Sequence, residues 1–253
     1  MGTGNLSADG IDREADFIAG RTLECVKCEL ANANFKRLKL IGVDLSGANL
    51  RGANFHRANL SGANLTGANL RDANLNLVDL RKANLRGADL SQALLYKADL
   101  SGADLTGANL TDARLQKSRL SRANLTSAIL NRAIAYEARL AGANLTRASL
   151  VEINLTRGNL RGADLTGAKI SNARLVRANL GRAKLVDAQI RGSDFYFADL
   201  SRADLSGSRF SGVRLEGAGL SDTKIDRATV DRSIMPSGKY VKTGTLAKAL
   251  NRE

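Results

Sequence analysis

Residues 43–75 read VDLSGANLRGANFHRANLSGANLTGANLRDANL, and every fifth residue is large and apolar: Leu45, Leu50, Phe55, Leu60, Leu65, Leu70 and Leu75. Two residues before each stands a smaller one, first Val43 and then Ala48, Ala53, Ala58, Ala63, Ala68 and Ala73, with Asn or Asp in between. Working outward, the same register runs back through Leu40, Phe35 and Leu30 to Cys25, and forward to Ile225, Val230 and Met235. No insertion shifts it, and Ala135 is the one weak centre. Internal periods take precedence over other signals, because a missed repeat misassigns the whole fold. A period of five matches neither the 3.6 residues of a helix nor the two of a strand. It fits a chain that turns a corner every five residues, so that four units close a square coil. The centre residue and the small residue two before it then point inward, and the other three point out. Charge supports the assignment: across residues 24–232 no Lys, Arg, Asp or Glu occupies either inward position.

These A(N/D)LXX units resemble the pentapeptide-repeat family over roughly residues 23–235. The resemblance implies an all-β fold, a right-handed quadrilateral parallel β-helix of about ten coils, some 50 Å long at the usual ~4.8 Å strand spacing. Gly at the second outward position (Gly47, Gly62, Gly67, Gly87, Gly102) suits corners that need a permissive backbone. Before the repeats, IDREADFIAG reads as a short helix closed by Gly20. It resembles the helical cap that cyanobacterial members carry before their first coil. After them, SIMPSGK resembles a family ending, and the remainder departs from the pattern. The expected organisation is a terminal segment and cap over residues 1–22, a β-helix over 23–237, and a basic tail over 238–253 with one helical turn near Leu246–Leu250.

The chain has no Trp and only six Phe in 253 residues, so its interior is built from Leu ladders and Ala contacts instead of clustered aromatics. Its formal net charge of +13 predicts anionic partners. No apolar run of about 18 residues is present, so no membrane insertion is expected. The start, MGTGNLSADG, lacks the basic and hydrophobic regions of a secretory signal. Two Cys do not make a disulfide framework, and a reducing cytoplasm is the expected setting.

Chemistry-bearing motifs are sparse. His56 lies at an outward position with no triad or dyad partner in the sequence. The Asp residues before the centres (Asp89, Asp99, Asp104, Asp164, Asp199, Asp204) read as solvated repeat positions and not as an acid pair. Cys25-Val26-Lys27-Cys28 has the spacing of a zinc half-site or a redox pair, but no second CxxC or nearby His completes a site. Both Cys fall at inward positions, where they read as small core residues. The expectation is no enzyme, no catalytic or metal-binding residue, no cofactor and no small-molecule substrate. The family's acidic, DNA-imitating members need a negative rod, and this one is positive.

Since four units make a coil, outward residues sort onto four faces by position modulo twenty. The face through Leu30 nets +1 and the face through Leu45 nets −1, the latter flat and neutral with Thr66, Thr106, Thr126, Thr146 and Thr166. The face through Phe35 carries ten cations, Lys36, Arg37, Arg57, Lys97, Arg114, Lys117, Arg157, Arg174, Arg177 and Arg214, against Glu137, Asp194 and Glu216. Its net is +7, and its neighbour through Leu40 nets +5. The Phe35 face also holds Tyr96, Tyr136, Tyr196 and Phe197, with Leu77, Leu94, Ile134 and Val176 outward. Aromatic residues and Arg together are the composition of a protein-binding hot spot. The predicted function is a scaffold or linker that docks an acidic protein or complex on this face. The alternative is a nucleic-acid binder using the same Arg and Tyr. The resemblance points to cyanobacteria, where acidic antenna assemblies and regulators of cell differentiation are the contexts it implies. Finally, Ala135 predicts local irregularity over residues 131–137, with Ile153 filling the missing volume.

Overall fold

The computed structural model describes residues 13–250. Residues 1–12 and 251–253, which belong to the expected N-terminal segment and tail, lie outside the described residues. From Glu24 onward the chain advances by parallel single-residue bridges between positions twenty apart, such as Glu24↔Asp44, Asp44↔Asn64 and Asn64↔Asn84. Four pentapeptides therefore make each coil. The ladder is built by main-chain groups. Leu50 N–H donates to the Asn69 carbonyl at 2.8 Å, Asn49 N–H to the Cys28 carbonyl at 2.9 Å, and Gly52 N–H to the Arg71 carbonyl at 2.8 Å. Ala53 N–H closes the corner onto Leu50 at 3.0 Å. Of the five amides in a unit, only the one after the centre is left without a main-chain acceptor. The Asn or Asp before the centre supplies one, as where Asn54 Oδ1 accepts from His56 N–H at 3.1 Å.

The inward positions form one continuous core, joined at its ends by Phe17 and Ala249, with Leu45 through Leu110 essentially inaccessible. Leu38, at an inward position, departs from the expectation and is exposed. Where Ser replaces Ala, its hydroxyl finds a main-chain acceptor, Ser118 on the Leu115 carbonyl at 2.7 Å and Ser208 on that of Leu205 at 2.5 Å. Late in the rod the ladder lengthens into strands β1 (Lys169–Ser171), β2 (Gln189–Arg191), β3 (Arg209–Ser211) and β4 (Thr229–Ile234). They pair in parallel, with Ile170, Ile190, Phe210 and Val230 in register. These centres favour extended backbone.

Helix α1 (Arg13–Ile18) ends on Gly20, whose φ is 71°. Gly20 N–H bonds the Phe17 carbonyl and Arg21 N–H that of Asp16, a Schellman closure. Phe17 is buried and meets the Phe35 ring edge-on at 5.9 Å, and Phe35 in turn stacks on Phe55 at 4.9 Å. No helix among the described residues is long and apolar enough to cross a membrane.

Three expectations change. Cys25 and Cys28 are buried as expected but joined in a disulfide, S–S 2.06 Å with Cα atoms 5.4 Å apart. A centre residue and the small residue three later face each other across a corner, which brings two Cys with CxxC spacing within bonding reach. Residues 131–137 are regular: Ile134 N–H reaches the Ala113 carbonyl at 2.9 Å and Ala135 N–H the Asn154 carbonyl at 2.8 Å. The ladder depends on main-chain groups, so a small centre does not disturb it; Ala135 and Ile153 are both buried. Finally, the stretch read as a basic tail continues the sheet. Strand β5 (Tyr240–Thr245) pairs antiparallel with β4, and α2 (Leu246–Leu250) buries Leu246 and Ala249 against the last coil.

Candidate binding face

The Phe35 face is assembled from three columns, one for each outward position of the unit. The residues before the centres run Leu94, Arg114, Ile134, Asn154, Arg174, Asp194 and Arg214, each bridged to the next. Those after the centres include Tyr96, Tyr136, Thr156, Val176 and Tyr196, whose carbonyls accept amides from the preceding coil, as Lys117 N–H does to Tyr136 at 3.1 Å. The third column holds Arg37, Arg57, Lys97, Lys117, Arg157, Arg177 and Phe197, all left-handed at φ between 53° and 63°. Ile134, Tyr96, Tyr136 and Phe197 are exposed, whereas Leu77, Leu94, Val176 and Tyr196 are half-buried.

The face is electrostatically open. Lys117 pairs with Glu137 at 3.5 Å and Arg214 with Glu216 at 2.6 Å. Glu216's hydrogen bond holds the Arg214 guanidinium above its ordinary pKa. That guanidinium also lies 4.0 Å from the Tyr196 ring centroid, and Tyr196 meets Phe197 edge-on at 4.5 Å. Gly217 fits against this cluster, since a Cβ there would stand 2.9 Å from the Phe197 ring. Among the described residues Lys36, Arg37, Arg57, Lys97, Arg114, Arg157, Arg174 and Arg177 have no carboxylate partner.

Five of the sequence-predicted residues, Tyr136, Arg157, Arg174, Arg177 and Tyr196, line a groove of about 530 Å³, together with Glu137, Asn154, Thr156 and Val176. Lys97 and Lys117 line a second hollow of about 450 Å³ with Leu77, Glu137, Arg119 and Arg139. Arg37, Arg57, Tyr96, Arg114, Ile134, Phe197 and Arg214 border neither hollow. Arg119 and Arg139 belong to the Leu40 face, and the second hollow straddles the corner between the two sides. Sorting residues by face conceals such a site. Grouping the positions before and after each corner would have found it.

The remaining candidates are structural. Burial, then the charges of Arg57, Lys36 and Arg37, hold the His56 pKa below its ordinary value. The Asp residues before the centres serve as corner caps: Asp99 Oδ1 accepts from the Ser101 amide and hydroxyl at 3.0 and 2.6 Å, and Asp104 Oδ1 from those of Thr106 at 3.0 and 2.5 Å. Their signal was in the sequence, an Asx two residues before Ser or Thr. The Ser46 hydroxyl lowers the Asp44 pKa, and the Ser206 hydroxyl that of Asp204. For Asp104 burial pushes the other way, but Thr106 and Arg86 outweigh it. Among the described residues no cluster of three His, Cys, Asp or Glu is placed to hold a metal ion.

A profile described as pentapeptide repeats matches eight copies, over residues 28–67, 53–95, 73–112, 93–132, 118–162, 159–195 and 198–235. No curated protein matches the chain. Among solved structures it is similar to HetL, a pentapeptide repeat protein involved in heterocyst differentiation regulation from the cyanobacterium Nostoc sp. strain PCC 7120. The identity is 32% over 91% of this chain and 98% of that one, with a TM-score of 0.44. It is also similar to full-length QnrB1, a plasmid-mediated fluoroquinolone resistance protein, at 19% identity over 65% of this chain and 85% of that one, with a TM-score of 0.55. At that identity the second likeness speaks for the fold alone.

Proposed function

The chain belongs to the pentapeptide-repeat family, and from that premise we propose that it is a non-enzymatic scaffold or linker that docks an acidic protein on its Phe35 face. One observation carries the reading: where this face forgoes the two features that favour the corner, it puts exposed cations and bulky apolar or aromatic residues in their place. At the second outward position, from residue 37 to 217, nine of ten left-handed residues are not Gly, whereas the Leu45 face has Gly at six of ten from 47 to 227. A left-handed conformation costs a side-chain-bearing residue about 1 kcal/mol relative to Gly. In the column before the centres, Leu94, Arg114 and Ile134 replace the Asx cap on three successive coils. Positions that give up local stability for exposed cations and aromatics are where function is expected.

A protein partner accounts for the face better than nucleic acid does. Tyr96, Tyr136 and Tyr196 are two and three coils apart, roughly 10 and 14 Å at the usual strand spacing. A base held between two rings needs about 7 Å, twice the 3.4 Å stacking rise. The finer architecture belongs to the same proposal: right-handed coiling, about ten coils, α1 with residues 1–22 as cap, residues 23–237 as the binding body and 238–253 as a closing unit. The proposed setting is a cytoplasmic antenna or regulatory assembly of a cyanobacterium. A Cys25–Cys28 bond found closed in protein alkylated directly from source cells would contradict a reducing compartment.

Binding across a salt series to an acidic protein and to single- and double-stranded nucleic acid tests the class of partner. Docking with apolar contacts persists at moderate salt. Tight nucleic-acid binding with a steep logarithmic salt slope would overturn the reading.

A further inference from the structure

We propose that the groove between Tyr136 and Tyr196 is a socket for a single apolar side chain of an acidic peptide segment, with carboxylates on both sides of that side chain. The inference deepens the docking reading above and rests on it. Tyr136, Thr156, Val176 and Tyr196 are consecutive members of one column, tied by the amides of Glu137, Arg157 and Arg177 at 2.8–2.9 Å. Two short side chains between two tall aromatic ones make a trough whose walls stand three coils, roughly 14 Å, apart, with Val176 as an apolar patch on its floor. The cations stand on opposite flanks. Arg174 belongs to the column before the centres, and Arg157 and Arg177 to the column beyond. None of the three has a carboxylate partner among the described residues.

This arrangement selects its occupant. A compact anion such as phosphate is held by cations that converge on one point, and here an apolar floor separates them. In an extended peptide the residues two before and two after an inward-pointing one face the same side as it does, about 7 Å away along the chain. A buried Leu or Phe would therefore place a Glu or Asp two positions to one side over Arg174 and a Glu or Asp two positions to the other over Arg157 and Arg177. Glu137 at the rim, paired with Lys117, disfavours a carboxylate at the Tyr136 end. The floor also holds a spare donor: the Thr156 hydroxyl is covered and has no hydrogen-bond partner, whereas those of Thr106 and Thr126 bond the Asx two residues before.

Fluorescence anisotropy with labelled Gly-Glu-Glu-Leu-Glu-Glu-Gly and its Ser-for-Leu counterpart tests the socket on the full chain. The Leu peptide is expected to bind about tenfold tighter than the Ser peptide. Val176→Ser and the Tyr136→Ser/Tyr196→Ser pair should abolish that preference, and Arg174→Gln should weaken both peptides severalfold. Unchanged thermal unfolding confirms that these surface variants fold. Equal binding of the two peptides overturns the socket. If Arg37→Gln and Arg57→Gln then weaken binding as much as Arg174→Gln, docking on the face stands and only the socket falls. Failure of both peptides to bind, or tighter binding of a labelled oligothymidylate than of the Leu peptide, overturns the socket and the docking reading together.

Discussion

The faces through Phe35 and Leu45 lie on opposite sides of the same ladder, yet they use its five positions differently. Beneath the Leu45 face the centres from residue 45 to 205 are all Leu, and Ala fills every small position from 63 to 203. Outside, Asx caps recur at Asp44, Asn64, Asn84, Asp104, Asn124, Asn144 and Asp164, and Thr or Ser follows most centres. Beneath the Phe35 face the centres vary among Phe, Leu, Ala135 and Met235, and Ile153 intrudes at a small position. Outside, caps give way to Leu94, Arg114 and Ile134, and left-handed corners carry Arg, Lys, Leu, Glu or Phe, with Gly only at 217. The main-chain ladder is kept on both sides, with the centre amides bonded at 2.7–2.8 Å beneath the Phe35 face and 2.6–2.8 Å beneath the Leu45 face. The backbone thus sets the fold, and the outward positions are free to depart from their local optimum, as the proposed docking role would require.

The largest effect expected from perturbing this contrast is in the interior. Ile153→Ala should lower stability by about 2–5 kcal/mol, because it empties volume next to a coil already missing a large centre at Ala135. Chemical denaturation measures it, and a loss below about 1 kcal/mol would rule out compensation between the two positions. Next comes binding. Tyr96→Ser, Tyr136→Ser and Tyr196→Ser should each weaken docking of an acidic protein by about 1–2 kcal/mol with little change in stability. Thr106→Ser, Thr126→Ser and Thr146→Ser on the opposite face should leave docking unchanged. If calorimetry shows the reverse, the interface has been assigned to the wrong side.

Corner swaps are a subtler test. Arg57→Gly and Lys97→Gly should keep or raise stability by up to about 1 kcal/mol while weakening docking. Gly67→Arg and Gly107→Arg should lose about 1 kcal/mol, and that loss would be conformational, since a Cβ at either position meets open space. Equal behaviour of the two pairs would remove the argument from left-handed side chains. The smallest effect is in pH. On the Leu45 face Asp44, Asp104 and Asp204 have folded pKa values below the ordinary 3.8. The stability they contribute is complete above the unfolded value and is lost as pH falls through the lower folded values. Carboxyl carbon shifts followed by NMR from pH 6 to 2 should show all three titrating late; midpoints at or above the ordinary value would deny the caps.

The repeat made the coil, its inward positions and the four faces legible, because solvent keeps charge out of two positions in every five. The Asx residues were read as solvated, although the amide after each centre has no main-chain acceptor and needs their Oδ1. The disulfide was hidden because CxxC spacing is also the spacing of two ordinary inward positions. Residues 240–245 were missed as a strand because antiparallel pairing on β4 follows no five-residue period. Five residues of the groove were legible from composition. Its floor at Asn154 and Thr156 was not, since ordinary repeat residues become a floor only when taller neighbours rise above them.

The account turns on one face, and not net charge, selecting the partner. The most direct measurement compares two triple variants with the same change in charge, Arg157→Glu/Arg174→Glu/Arg177→Glu on the Phe35 face and Arg122→Glu/Arg161→Glu/Arg182→Glu on the equally exposed Leu40 face. Each is titrated against an acidic protein at physiological salt. The account predicts a loss of about a hundredfold or more for the first and less than about fivefold for the second. Equal losses from the two faces would contradict it and leave a positively charged rod with no defined interface.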